Sequence, residues 1–555
     1  MTAAYAKNTR VRNAVTPQVE PIPGREAEMA QNHAGGFVFA IDNWSALDRF
    51  LILGTEGGTY YASERKATKE MIPRVAAAIA EDGERVVRRV VEISTAGRAP
   101  KTDPALLVLA MCAAAADSAT RKLALLALPK VARIGTHLFH FAEFVDGFRG
   151  WGPALRKAVG DWYLAKSADS LGFQVVKYQQ RDGWSHRDLL RKAHPKVDAD
   201  DAPRRALFDW ICRRREGVQD RPLPDIVKAF DEMQAATAIP DVLRIIAKFE
   251  TGGDDGEERG FPREAIPTQW LSDGRVWGML LRNMPMTAMI RNLGTMSKAG
   301  VLDPLGVGES LVLDALGDRE RLKKARVHPL SILLALKTYS SGRGFRSESS
   351  WPVNQNIVAA LDRAFYATFA NVEPTGKRFL LGLDVSGSMD SVIAGTNISC
   401  REAVGALAMV TSRTEPRTHM VGFASGGGSW FSGGATAIVE LDFSRASSLE
   451  DVCGIMKGIP FGATDCSLPI LHAMERGIPV DVFVVMTDNE TFAGKAHPAQ
   501  ALREYRKKMG IEAKMIVVGM TSTGFSIADP NDTGMLDVVG FDSALPDLVR
   551  MFVAA

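Results

Sequence analysis

Three polar segments in the last third of the chain place carboxylates and hydroxyls where a metal ion could use them. The first is the run DVSGS, the second is the pair TD after Gly462-Ala463, and the third is the aspartate that ends the apolar run VDVFVVMT. Alternate residues of the first run can direct one carboxylate and two hydroxyls into one pocket. Oxygen donors with few full charges suit Mg²⁺, which keeps some of its waters. The predicted ligands are Asp384, Ser386, Ser388, Thr464 and Asp488.

The alternative for these segments is a Gly/Ser turn and two unrelated helix caps. That alternative explains the first run by itself, but it explains all three segments in this order poorly. We expect Asp465 to support the ligands or to cap a helix rather than to bind the metal directly. A metal with an open coordination position would accept an acidic ligand. No histidine, cysteine or lysine is placed in the cluster as a base or nucleophile, so the pattern predicts a binding site and not an enzyme.

The elements that must position these segments are strands and helices in alternation. Apolar runs of strand length occur at 377–384, 419–424, 480–487 and 513–519, and helical stretches lie between them at 401–413, 467–476 and 498–509. This alternation predicts a doubly wound α/β domain with a mostly parallel sheet, over about residues 366–555. Ligands of such sheets bind at the carboxyl ends of the strands, where all three polar segments fall.

The preceding 330 residues, 36–365, show a different pattern. Apolar residues recur there at spacings of three and four, with one break at Asp82-Gly83, and helix follows helix without strands. A long succession of amphipathic helices predicts an α-solenoid of the HEAT kind, although no clean sequence period is present. Exposed loops are expected at 250–263 and 340–350, and residues 1–35 form a polar lead.

Charge is balanced over the whole chain but not locally. The net charge is +2, whereas the segment from Lys177 to Arg215 holds eleven Lys and Arg against six Asp. Such an excess attracts phosphate, but a run of charge is more commonly a solvated helix face.

Composition sets further expectations. The five cysteines are scattered and lack CxxC spacing, which favours free thiols over disulfides or zinc. We expect a cytoplasmic monomer that does not enter a membrane, because no apolar run reaches about 18 residues and the N-terminus lacks a secretory signal.

Several segments together resemble one known family, the Ro autoantigen or TROVE-domain proteins. They are TEGGTYY (55–61), WGPALRKAVGDWY (151–163), QRDGWSHRDLLRKAH (180–194), MPMTAMIRNLG (284–294), EPTGKRFLLGLDVSGSM (373–389), TDNETFAG (487–494), ALREYRKKM and GMTSTGFSIADP. The likeness runs from about Phe37 to the C-terminus. It implies a ring of HEAT-like repeats closed by a von Willebrand factor A-type domain, in which the predicted metal site is the metal-ion-dependent adhesion site.

The resemblance also implies a function and a set of RNA contacts. Family members bind small noncoding Y RNAs on the outside of the ring and single-stranded 3′ ends of misfolded RNAs in its hole. They act in noncoding RNA quality control without being nucleases, and bacterial members couple to an exoribonuclease through the Y RNA. The family's RNA-contact region corresponds here to Arg156, Lys157, Lys177, Gln180, Arg181, His186, Arg187 and Arg191.

The residue types suit this role to different degrees. Arg and Lys neutralise phosphate, and His186 could stack on an unpaired base or belong to the start of a helix. For Trp184 we expect core packing. The principal alternative function is a metal-dependent protein scaffold without RNA as its main ligand, and a nuclease ranks third.

Overall fold

Helices make up most of the described chain from Asn43 to Ala367 in a computed structural model, as the spacing of apolar residues predicts. The expectation that no strands occur there is wrong at one place, where Gln180–Arg181 and Trp184–Ser185 form a short antiparallel hairpin. The structure describes residues 15–54, 64–99, 101–213, 222–249, 260–325, 327–344, 348–369, 374–393, 398–424, 437–443, 449–458, 463–539 and 545–554. The helices are α1 (Asn43–Leu53), α2 (Glu64–Ala96), α3 (Asp103–Ala113), α4 (Ser118–Val131), α5 (Gly135–Phe148), α6 (Pro153–Leu164), α7 (Ala168–Lys177), α8 (His186–Ala193), α9 (Ala202–Arg213), α10 (Asp225–Ala235), α11 (Ile239–Ala247), α12 (Gly274–Leu281), α13 (Met286–Lys298), α14 (Val307–Gly317), α15 (Arg319–Lys324), α16 (Pro329–Ser340) and α17 (Gln355–Ala367). The predicted break is present, because Asp82 leaves the helical region inside α2 with φ −153° and ψ 83°.

The helical region closes on itself through the α/β domain. Near its start, Arg49 on α1 binds Asp537 of the α/β domain at 2.7 Å. Near its end, Lys337 on α16 binds Glu402 of the same domain at 2.6 Å. His328, the N-cap of α16, also approaches the Arg98 carbonyl, with Nε2 and the oxygen 3.1 Å apart. Helices near both ends of the helical region, α1 and α16, therefore meet the same neighbour, which gives the closed arrangement that the resemblance implies.

The α/β domain is built on a six-stranded sheet of order β11-β9-β8-β5-β6-β7. Its strands are β5 (Phe379–Asp384), β6 (Thr418–Ala424), β7 (Ala437–Glu440), β8 (Val482–Thr487), β9 (Lys514–Gly519) and β11 (Met535–Val539). All neighbours are parallel except β6 and β7. The four predicted strands are confirmed with ends shifted by one or two residues, whereas β7 and β11 were not predicted.

Helices cover the sheet, as α18 (Cys400–Thr414), α19 (Leu449–Lys457), α20 (Leu468–Arg476), α21 (Pro498–Met509) and α22 (Leu545–Ala554). Local sequence fixes their ends. Ser399 caps α18 in a reciprocal pair with Glu402, and Gly477 and Gly510 end α20 and α21 at φ 65° and 64°. Since β5 lies between β6 and β8, the winding of the sheet reverses beside β5, and its carboxyl end is the expected ligand position.

The N-terminal segment packs against the α/β domain. Strands β1 (Met29–Gln31) and β2 (Phe37–Ala40) form an antiparallel sheet with β10 (Phe525–Ser526), which lies some 490 residues further along the chain. Gln18 is completely buried among α/β-domain residues. The lead from residue 15 onward is thus part of this domain's surface.

Two further expectations concern loops and thiols. Residues 250–259 and 345–347 of the expected loops lie outside the described residues. The expectation of an exposed loop is wrong at Phe261 and Pro262, which are buried. Burial raises the pKa of the Cys112 thiol to about 12, and it also raises the pKa of the Cys400 and Cys466 thiols. These three buried cysteines form no disulfide.

In the described part of the chain, no helix is both long and apolar enough to cross a membrane.

Candidate metal centre and nucleic-acid interface

The first polar run turns sharply after β5 and is held by its own hydrogen bonds. The Ser386 backbone N–H donates to Asp384 Oδ1 at 2.9 Å, and Ser386 Oγ lies 3.0 Å from Ser388 Oγ. Thr487, the last residue of the adjacent strand β8, donates its hydroxyl to Asp384 Oδ2 at 2.6 Å. The two strands that flank the reversal of the sheet therefore meet at Asp384.

The other two predicted ligands present oxygen atoms without partners. Thr464 Oγ1 and Asp488 Oδ2 are buried, and neither has a hydrogen-bond partner among the described residues. A buried polar atom left in this state is costly, and a bound cation would relieve that cost. The five predicted ligands thus lie at the carboxyl ends of β5 and β8 and in the loop before α20, and their donor set fits Mg²⁺.

Electrostatics at the site also favours a cation. Burial raises the pKa of Asp384, and burial together with the nearby charges of Asp384 and Glu490 raises the pKa of Asp488 well above its usual value. Two carboxylates in a desolvated pocket repel each other unless a positive charge lies near them, and the buried Arg401 supplies only part of that charge, at Asp384. In the described residues no three His, Cys, Asp or Glu side chains come together as a metal group, so a metal here depends on the hydroxyls as well.

Supporting residues surround the ligands, and several were not predicted. Arg401 donates through Nη2 to the Ser386 carbonyl at 3.1 Å and lies within 3.3 Å of Asp390. Asp465 accepts from the Ser467 hydroxyl at 2.6 Å and from Gln18 Nε2 at 2.8 Å. Asp465 thus supports the turn before α20 by accepting from Ser467, which is itself the N-cap residue, so the expected supporting role fits better than the helix-cap role. No sequence signal connects Asp465 to Gln18.

The N-terminal segment also reaches the third polar loop. His33 Nδ1 lies 2.8 Å from Glu490 Oε1, and its Nε2 lies 3.1 Å from Glu70 Oε2 on α2. The Ala34 N–H donates to Glu490 Oε2 at 3.1 Å. One histidine of the lead therefore joins the helical region to the loop that carries Asp488.

The metal site is enclosed in this structure. Each of the five predicted ligands is at most 1% exposed. The five side chains are therefore shielded from solvent in this structure.

The predicted RNA-contact residues lie on α6, α7, α8 and the short hairpin β3 (Gln180–Arg181) and β4 (Trp184–Ser185). Except for His186 and the half-buried Lys177, their side chains are exposed. Lys157 binds Asp161 at 2.6 Å and Arg181 lies 3.7 Å from Asp182. The Lys177 ammonium lies 5.4 Å from the Phe173 and Tyr178 ring centroids. No ion pair within the described residues involves Arg187 or Arg191, so both guanidinium groups can meet phosphate.

His186 is placed differently from the expectation of a base contact. It is 2% exposed, its Nδ1 lies 2.8 Å from the Tyr163 hydroxyl, and its ring packs edge-on against Phe139. Burial lowers the pKa of His186 to about 3, so the ring is neutral. The structure thus supports the helix-start role of His186, since its ring cannot stack on a base without leaving the core.

Two half-buried indoles lie beside this basic face. The rings of Trp151 and Trp184 have centroids 5.5 Å apart with planes inclined by 34°. The Lys192 ammonium, on α8, lies 5.0 Å from the first centroid and 5.3 Å from the second. Trp184 was expected in the core; it packs against the core on one side only, and Trp151 was not predicted to take part in a site.

The chain matches the family model of the TROVE domain over residues 30–233 and 258–341, and the model of the Ro60 vWA domain over residues 378–553. The segment TEGGTYY lies outside the described residues.

Related proteins cover nearly the whole chain. "RNA-binding protein RO60" of Deinococcus radiodurans is 39% identical over 540 residues, which are 97% of this chain and 97% of that protein. "RNA-binding protein RO60" of Caenorhabditis elegans is 34% identical over 97% of this chain and 92% of its own length. The crystal structure of the Deinococcus radiodurans RO (RSR) protein superposes with a TM-score of 0.69 at 38% identity, covering 92% of this chain and 99% of that one.

Proposed function

The chain belongs to the Ro60 family of TROVE-domain proteins, and on this premise we propose that it is a non-catalytic RNA-binding protein. The relatives named above are called RNA-binding proteins. The observation in this chain that carries the proposal is the exposed basic face formed by α6 to α8. There Arg187 and Arg191 stand one helical turn apart on the outer side of α8.

The chemistry of this face fits a phosphate backbone. Arg and Lys at exposed positions neutralise phosphates and release their counterions, which gives affinity without reading sequence. The contact set that we propose is Arg156, Lys157, Lys177, Gln180, Arg181, Arg187 and Arg191. His186 is left out of the contact set, because its ring is buried and neutral. It acts on this face by holding the start of α8 against Tyr163.

The RNA class follows from the family. We propose that the chain holds small noncoding Y-like RNAs on its outer basic face and single-stranded 3′ ends of misfolded RNAs in the closed helical region. In this account it serves noncoding RNA quality control, and the bound Y-like RNA connects it to an exoribonuclease. The residue types at the described sites supply no nucleophile and base for cleavage of RNA by the chain itself.

We propose a Mg²⁺ site in the α/β domain held by Asp384, Ser386, Ser388, Thr464 and Asp488. When bound, the ion offers charge neutralisation and a coordination position for an acidic ligand. The chain's own residues prepare the site, since Thr487 and the Ser386 N–H orient Asp384 and Arg401 fixes the Ser386 carbonyl. Because the ligands are enclosed, a structural role that ties β5, β8 and the α20 loop together accounts for the geometry better than capture of a partner's carboxylate.

A titration with RNA tests the proposal. The purified chain would be titrated with a labelled RNA hairpin that carries a single-stranded 3′ tail, at several salt concentrations. We expect tight binding whose affinity falls steeply as salt rises, because several phosphates release counterions. Binding that is absent or insensitive to salt would favour the protein-scaffold alternative. Cleavage of the RNA in the presence of Mg²⁺ would favour the nuclease.

A further inference from the structure

The indole rings of Trp151 and Trp184 lie next to each other beside the basic residues of α8. We propose that they form a stacking site for an unpaired base of the bound RNA, next to the phosphate-binding residues of α8. The assignment rests on the proposed RNA-binding function and deepens it. On this proposal the face binds an unpaired base of the RNA in addition to phosphate.

Both rings are held at one edge by hydrogen bonds, and each is only partly covered by the core and by the other ring. Trp184 donates its indole N–H to Glu143 Oε2 at 2.9 Å, and Trp151 donates its own to Asp146 Oδ1 at 2.6 Å. Both acceptors lie on α5, so one helix orients both rings. The carboxylates engage the indole edges and repel phosphate, which favours an arrangement with the RNA backbone toward α8 and a base toward the rings.

The two rings differ from a core pair in their exposure and in their neighbour. Each is half-buried, and the charged group over both is Lys192, which lies on the exposed side of α8 with Arg187 and Arg191. A cation at 5.0 to 5.3 Å from a ring centroid is held weakly at an exposed site. A base can therefore displace Lys192 from the rings. The Lys192 ammonium is then free to pair with the phosphate of the nucleotide whose base has stacked.

The chemistry selects unpaired nucleotides. Single-stranded bases expose their faces, whereas the bases of an A-form duplex are stacked on each other and its major groove is too narrow for side chains. Stacking on an aromatic side chain accepts any base, so the site would distinguish loops, bulges and tails from helices without reading sequence.

A cycle of two RNAs and matched variants tests the assignment. The first RNA is a labelled hairpin with an unpaired loop and a 3′ tail, and the second has abasic nucleotides at its unpaired positions. Trp151→Ala and Trp184→Ala should each raise the Kd for the first RNA roughly 5- to 140-fold, the range for loss of one stacking contact, without altering the salt dependence. For the abasic RNA, the variants and the parent chain should bind alike.

Controls separate stacking from folding. Trp184→Phe keeps an aromatic face and should retain most of the affinity. Trp44→Ala removes an indole that also has a cation over its face, Arg85 at 3.8 Å, but on α1, and should leave the Kd unchanged. Folded Trp151→Ala and Trp184→Ala variants that bind the first RNA as the parent does would overturn the stacking site and leave the proposed function standing. Failure of the parent chain to bind either RNA would overturn both.

Discussion

Arg49 on α1 donates to both carboxylate oxygens of Asp537 on β11, at 2.7 and 2.8 Å, from a side chain that is 1% exposed. The same guanidinium donates to the Thr523 hydroxyl at 2.9 Å. The helical region and the α/β domain are therefore joined by a buried ion pair with further hydrogen bonds.

Removal of this guanidinium should destabilise the junction strongly. Arg49→Ala leaves the Asp537 carboxylate without its guanidinium partner. Such a loss costs about 3 to 5 kcal/mol in the free energy of unfolding when the remaining charge is fully buried. That range is the upper bound here, because Asp537 is 20% exposed and still accepts from the Ser526 hydroxyl. The matched control is Arg89→Ala, which breaks a pair of similar geometry with Asp48 inside the helical region, at 2.6 Å but with both side chains near 30% exposed. That change should cost less than about 1 kcal/mol. Urea unfolding of both variants measures the difference, and equal losses would contradict a special role for the Arg49 pair.

His186 provides a second prediction, in which stability and RNA binding separate. His186→Gln removes a ring that packs against Phe139 and Tyr163, so the midpoint of thermal unfolding should fall. The folded variant should still bind RNA with the parent's salt dependence, because the ring does not reach the surface. A variant with parental stability and weaker RNA binding would show instead that the ring contacts RNA.

Buried neutral histidines predict sensitivity to acid. Burial lowers the pKa of His186 to about 3 and the pKa of His137 and His328 to about 4. In the unfolded chain these rings take up protons once the pH falls below the ordinary histidine pKa near 6.5, whereas in the folded chain they stay neutral until the pH approaches their lowered pKa values. The contribution of these rings to the free energy of unfolding is thus fully present above about pH 6.5. It declines as the pH falls toward 4, by up to about 1.4 kcal/mol per pH unit for each ring.

The assignment of this decline can be checked at one ring. His328 accepts the Leu330 N–H through Nδ1 as the N-cap of α16. Asparagine also caps helices but does not titrate. Unfolding midpoints of His328→Asn measured from pH 7 to pH 4.5 should therefore fall less steeply than those of the parent chain. Parallel curves would contradict the assignment.

Magnesium should stabilise the α/β domain through its hydroxyl ligands. At a concentration about ten times the Kd, a ligand adds about 1.4 kcal/mol. Thr464→Val removes a buried hydroxyl that has no partner among the described residues, so it should cost little in metal-free buffer and reduce the gain with Mg²⁺. Thr411→Val, which removes a hydroxyl bonded to the Leu407 carbonyl on α18, should keep the full gain. Thermal unfolding of both variants with and without Mg²⁺ measures the stabilisation by the metal. If Mg²⁺ stabilises Thr464→Val as much as the parent chain, Thr464 is excluded as a ligand.

Local patterns predicted much of this architecture because strands and helix caps depend on nearby residues. The positions of the proposed metal ligands at strand ends and before α20 were predictable, because each follows an apolar run or precedes a helix. The spacing of α8 also held a signal for burial, since His186, Leu189, Leu190 and Ala193 lie on one face at i, i+3, i+4 and i+7. That face is the buried one.

Other features depend on contacts between distant parts of the chain. The pairing of β2 with β10 and the bond from Gln18 to Asp465 each join residues more than 440 positions apart. No local period records such a pairing. The half-burial of Trp151 and Trp184 was equally inaccessible, because it depends on how α5 and α8 pack.

The most direct test of the account is the salt dependence of RNA binding after three charges are removed from the basic face. We expect Lys177→Gln, Arg181→Gln and Arg187→Gln together to weaken binding of the tailed hairpin. They should also reduce the magnitude of the slope of log K against log salt by about 2 to 3, because each lost phosphate contact removes roughly 0.7 to 0.9. The control carries Arg476→Gln, Lys507→Gln and Lys508→Gln on exposed positions of the α/β domain, which changes the net charge equally. Parental affinity and slope in the folded first variant, or equal losses in both variants, would contradict the claim that the α6 to α8 face binds RNA.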